Sequence, residues 1–176
     1  MAKNFLELFT VLACGFILLA PEVYHVYADR DFWASTGVIP LFIISYYINF
    51  LCTFPVNYEY YHKKTKVVAA VTISCSLLNV ALNYFLIQSL GMVGAALATA
   101  ISHGAQLVLH HLYTSFHLGR GDYPFPVKLW AKYAAAFGAI VAVVLLTPKA
   151  WLVRWGLGAA IGVIELLRIK KRKVLI

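Results

Sequence analysis

Six long apolar runs, separated by short polar stretches, organise this chain: roughly residues 5–23, 32–56, 67–88, 91–113, 130–147 and 151–167. Most approach the ~20 residues that a helix rising 1.5 Å per residue needs to cross ~30 Å of hydrocarbon. Backbone groups in lipid find no water, so runs of this length are expected as helices that satisfy their own hydrogen bonds. No series of short alternating segments suggests a barrel. The expectation is an all-α, polytopic membrane protein. Residues 1–176 would form one six-helix lobe, ending in a basic cytoplasmic tail at 168–176. The last run, 151–167, is short for a span.

Polar positions inside the runs fall in a pattern. Thr72, Ser76, Asn79 and Asn83 are spaced i, i+4, i+7, i+11 and share one helix face. The next run repeats those offsets with Thr99, His103, Gln106 and His110. The turn around Ser89-Leu90-Gly91 makes the two helices antiparallel neighbours, and both stripes are costly against lipid. They therefore face protein or a water-filled cavity. Two functions are open: hydrogen-bonded glue between helices, or the lining of a solvated path. His103 is read as a hydrogen-bonded imidazole, with a proton relay as the alternative. The small residues Gly91, Gly94, Ala95, Ala98, Ser102 and Ala105 form a seam for close helix packing. Gly158 and Gly162 repeat the motif more weakly.

Charge fixes the expected orientation. One set of alternate connections holds Lys3, Lys63, Lys64, Lys66, Arg120, Lys128, Lys132, Arg168, Lys170, Lys171, Arg172 and Lys173. The other holds only Arg30, Lys149 and Arg154 of the 15 Lys and Arg, beside Glu22, Asp29 and Asp31. Cytoplasmic connections retain positive charge, so six spans with both termini in the cytoplasm are expected. Tyr24, Trp33, Tyr58, Trp130 and Trp151 cluster with other aromatics at the span boundaries, where amphipathic rings favour the headgroup layer. Pro21 and Pro148 sit near expected helix ends, while Pro40 and Pro55 would bend the second span. Glu7 and Glu165 are expected to reach the interface.

Composition agrees: 62% of residues are hydrophobic, 12% are charged and the mean hydropathy is +0.78. The net charge of +8 lies in clusters between apolar runs, which excludes a nucleic-acid partner. Cys14, Cys52 and Cys75 lie in separate runs and read as small buried residues. The apolar run continues past Cys14, so no signal-peptide processing is expected. No nucleophile elbow, zinc-helix or phosphate-loop motif is present, and His110-His111 has no carboxylate at ligand spacing in the sequence. Neither an enzyme nor a bound cofactor or metal is expected, and Arg120-Gly121-Asp122 is a chance match.

The stretch Asn79-Val80-Ala81-Leu82-Asn83-Tyr84-Phe85-Leu86-Ile87, followed by Leu90-Gly91-Met92-Val93-Gly94-Ala95-Ala96-Leu97-Ala98-Thr99-Ala100-Ile101-Ser102, resembles the C-terminal half of polysaccharide biosynthesis flippases. Those belong to the superfamily of multidrug and oligosaccharidyl-lipid exporters. In the family, a paired-Asn helix runs into a turn and a Gly-Ala-Ala helix. The strong match covers roughly residues 57–105; Tyr27, Trp33-Ala34-Ser35 and Lys63-Lys64-Thr65 extend it upstream.

The resemblance implies two six-helix lobes around a cavity, working by alternating access to move a polyprenyl-pyrophosphate-linked oligosaccharide across the inner membrane. This chain supplies one lobe, so an N-terminal lobe or a second copy is implied as partner, besides membrane lipid. The substrate pathway would use Asn79, Asn83, His103 and Gln106, with Arg30, Lys63 and Lys64 near opposite mouths for the pyrophosphate. Two alternatives remain: a drug/cation antiporter lobe, and a non-transporting structural subunit or remnant.

Overall fold

The computed structural model describes residues 2–118, 127–147 and 150–172. Arg120-Gly121-Asp122, Tyr123, Pro148, Lys149 and Lys173 lie outside them. The described residues form α1 (Ala2–Tyr27), a 3-10 helix (Arg30–Val38), α2 (Ile39–Tyr61), α3 (Thr65–Leu90), α4 (Met92–Tyr113) with a π-helical extension (Thr114–Leu118), α5 (Val127–Leu146) and α6 (Trp151–Arg172). No strand occurs among them, and the protein is all-α.

Five stretches are long and apolar enough to cross a membrane: Lys3–Tyr27, Ser35–Tyr61, Thr65–Leu90, Met92–Leu118 and Lys128–Leu146. The α6 helix is not among them, since Arg154, Glu165, Arg168 and the basic residues 170–172 interrupt it. Pro21, expected at a helix end, lies inside α1, which continues to Tyr27. Pro40 sits in the first turn of α2, where its missing N–H costs nothing, and Pro55 lies buried in the interior. Gly91 links α3 to α4 with a φ of 57°, a backbone that glycine adopts freely.

The chain forms two compact units, one of residues 37–130 and one of residues 1–36 with 131–176. In the first, α4 is the central element, packed along both α2 and α3. Tyr47, Phe50, Leu51, Cys52 and Phe54 of α2 are buried. Gly94, Ala98 and Ser102, four apart on α4, are buried as well. A Cβ on Gly94 would lie 2.1 Å from the Leu86 carbonyl oxygen, so glycine permits the close approach of α3. Of the seam read from sequence, Ala95 is only half-buried and Gly91 serves the turn.

In the other unit, α1 packs on α6. Leu6, Ile17 and Leu18 of α1 are buried. A Cβ added to Gly158 would meet Leu18 Cδ1 at 3.8 Å, an ordinary contact, whereas Gly162 has nothing within 4 Å. The Gly158/Gly162 motif therefore works at its first glycine alone. Arg154 pairs with Glu22. Arg168 donates to Glu7 at 3.3 Å and to Glu165 at 3.4 Å. Glu7 and Glu165 are both buried against the protein. The guanidinium of Arg168 draws them together.

Candidate functional site

The two polar stripes meet. Because α3 and α4 are antiparallel across the Gly91 turn, equal spacing on each helix brings their faces opposite each other. Between them lies an open-sided cavity of ≈ 300 Å³ lined by Cys75, Ser76, Asn79 and Val80 of α3 and by Thr99, Ser102, His103 and Gln106 of α4. None of these residues carries a carboxylate, ammonium or guanidinium group.

Its hydrogen bonds are mostly local. Asn83 Nδ2 donates to Asn79 Oδ1 at 2.9 Å, leaving the Asn79 amide N–H groups outside that bond. Thr99 and Ser76 hydroxyls donate to the carbonyls of Ala95 and Thr72, four residues back, at 2.9 Å each. Their oxygens keep lone pairs for an incoming donor. Gln106 Nε2 reaches Thr72 Oγ1 across the helices at 3.5 Å. His103 is tied to α2: its Nδ1 lies 3.0 Å from the Ser45 carbonyl oxygen and 2.9 Å from Ser45 Oγ. Nδ1 donates to the carbonyl in one tautomer and accepts from the Ser45 hydroxyl in the other. The buried Ser45 was not anticipated, although it is the single small hydroxyl among the aliphatic and aromatic residues 41–48.

The groove thus presents amides, hydroxyls and one oriented imidazole beside the apolar Val80 and the Cys75 thiol. That chemistry suits a hydroxyl- or amide-rich ligand. Among the described residues no group of three or more His, Cys, Asp and Glu is placed to hold a metal.

The cations assigned to the mouths do not line this cavity. Arg30 belongs to the other unit, where its guanidinium lies 5.9 Å from the Trp33 ring centroid. Lys63 and Lys64 are exposed in the turn before α3. Asn79 is fifteen residues further along that helix, about 22 Å at 1.5 Å per residue. Lys63 has a backbone role: its φ is 58°. Its N–H donates to the Tyr60 carbonyl and that of Lys64 to Glu59, the paired bonds that close a helix through a left-handed residue.

A second polar cluster escaped sequence reasoning. Glu59 of α2 and His110 of α4 are both fully buried, with Nδ1 2.9 Å from Oε2 and 3.0 Å from Oε1. Thr114, in the π-helical turn, is within 3.2 Å of Oε1 and 2.7 Å of the His110 carbonyl. The expectation that His110 lacks a carboxylate is corrected here. Linear spacing hides a partner 51 residues away, and α2 runs past residue 56 far enough to bury Glu59. His111 turns instead to Trp130, with ring centroids 5.1 Å apart.

No family model, curated protein or solved structure matches the chain.

Proposed function

We propose that the chain is the C-terminal lobe of a flippase for lipid-linked oligosaccharide in the inner membrane, with both termini cytoplasmic. The observation that carries this reading is the α3–α4 cavity. Its lining carries the polar side chains of Asn79, Thr99, His103 and Gln106 on helices apolar enough to cross a membrane, and it holds no carboxylate, ammonium or guanidinium group. A path that only lipid visited would gain nothing from these groups, which are expensive in hydrocarbon. Sugar hydroxyls match their mixed donors and acceptors. The absence of any carboxylate from the lining weighs against the cation-antiporter alternative. An N-terminal six-helix lobe or a second copy would complete the path.

The experiment is site-specific photocrosslinking in membranes that contain polyprenyl-pyrophosphate-linked oligosaccharide. A benzophenone amino acid replacing Thr99 should capture the lipid-linked sugar, while one replacing Leu145, an exposed residue of α5, should capture phospholipid alone. Equal capture at both positions, or none at Thr99, would remove the assignment.

A further inference from the structure

We propose that α6 is a conditional span, one that crosses the membrane only as the partner of α1 and is held there by ion pairs. Its own sequence argues against independent insertion. Between Arg154 and Glu165 lie only ten uncharged residues, 155–164, about 15 Å of helix, half of the ~30 Å hydrocarbon layer. The α6 helix alone is not apolar enough to count as a span, although it is as long as α4.

The α1 helix supplies what α6 lacks. Glu22 meets Arg154, and Glu7 meets Arg168. The two acids are fifteen residues apart on α1 and the two arginines fourteen apart on α6. On antiparallel helices this matched spacing makes two rungs, separated by about 21–22 Å. At each rung α1 supplies an acid and α6 an arginine, and Glu165 of α6 shares Arg168 with Glu7. Between the rungs the contact is apolar and close, with Leu18 over Gly158.

The two rungs differ. Side chains at the Glu22–Arg154 rung are 22% and 4% exposed, whereas the Arg168 side chain is 57% exposed. The sheltered rung is the one that an unpaired α6 could not carry into lipid, because a guanidinium without a counter-charge is the most expensive group on the helix. Thr147 adds its carbonyl to Arg154 Nη1 at 3.4 Å. The clamp is therefore an addressed contact: α1 admits α6 by charge, and α6 brings the basic residues 168–172 to a fixed side of the bilayer.

The test uses the full chain in membranes, with Cys14, Cys52 and Cys75 replaced by alanine and Gly162→Cys as reporter. A Cβ at residue 162 would meet nothing within 4 Å beyond its own helix backbone among the described residues, so the reporter fits. A membrane-impermeant maleimide is applied with both membrane faces open. The expected result is protection of the reporter in the parent chain. Glu22→Arg should raise labelling several-fold, and adding Arg154→Glu should restore protection. Labelling in the parent, continued protection in Glu22→Arg, or failure of the charge swap to restore it would each overturn the proposal. Should Glu22→Arg not accumulate, recovery of the swapped chain to parental level reads the same rescue, and its failure to recover overturns the proposal.

Discussion

The imidazole of His110 spans the carboxylate of Glu59, at 2.9 Å from one oxygen and 3.0 Å from the other, with neither side chain exposed. This contact joins the C-terminal ends of α2 and α4 and recruits Thr114. His110 Nε2, also buried, has no partner among the described residues. The cluster is well made on one side of the ring and bare on the other.

Breaking such a pair from one side strands a buried polar group, at a cost of about 3–5 kcal/mol, whereas replacing both partners by apolar residues costs much less. Glu59→Leu and His110→Leu should each destabilise the protein in detergent, and the double variant should be more stable than the worse single one. Thermal unfolding followed by tryptophan fluorescence checks the order. A double variant equal to the sum of the singles would show that the two residues act separately.

How far the chain could be read in advance depended on the range of each interaction. Helix positions follow from local apolar runs, and the convergence of Asn79 with His103 and Gln106 follows from a short turn and repeated spacing. The pairs Glu59–His110, Ser45–His103 and Glu22–Arg154 had no such signal, because they join segments 51, 58 and 132 residues apart. Lys63 also has a backbone role, its left-handed φ, which composition does not reveal.

Gly94 should tolerate no side chain. An added methyl would lie 2.1 Å from the Leu86 oxygen, and a backbone carbonyl cannot rotate away as a side chain can. Overpacking of this kind costs about 1–3 kcal/mol even where neighbours yield. Gly94→Ala should therefore lower the unfolding temperature. Gly104→Ala, with open space around it, should raise stability by up to ~1 kcal/mol through helix propensity. Equal effects of the two would contradict the close approach of α3 and α4.

Lys63 occupies the left-handed position that closes α2, where glycine is the usual residue. A side chain there costs about 1–2 kcal/mol, partly offset by the greater freedom of glycine in the unfolded chain. The stability order should be Lys63→Gly at or above the parent, and Lys63→Val below it by at least ~1 kcal/mol. Loss of binding with Lys63→Gly, at unchanged stability, would instead restore a direct role for its charge.

The cavity's hydration separates a transport path from a dry interface, and cysteine chemistry can read it. Asn79 and Gln106 are half-buried and line the open-sided space, while Cys14 and Cys52 are buried and are not part of its lining. In membranes, with the native cysteines replaced, Asn79→Cys and Gln106→Cys should react with a small hydrophilic thiosulfonate. Chains retaining only Cys14 or only Cys52 should stay unmodified. Soluble oligosaccharide at high concentration should slow the reaction at position 79 if the amides take sugar, because ligand and reagent would then compete for the same wall. Silence at both positions would mean that Asn79 and Gln106 serve only helix packing, and the stripes would then be the interhelical glue of a structural subunit.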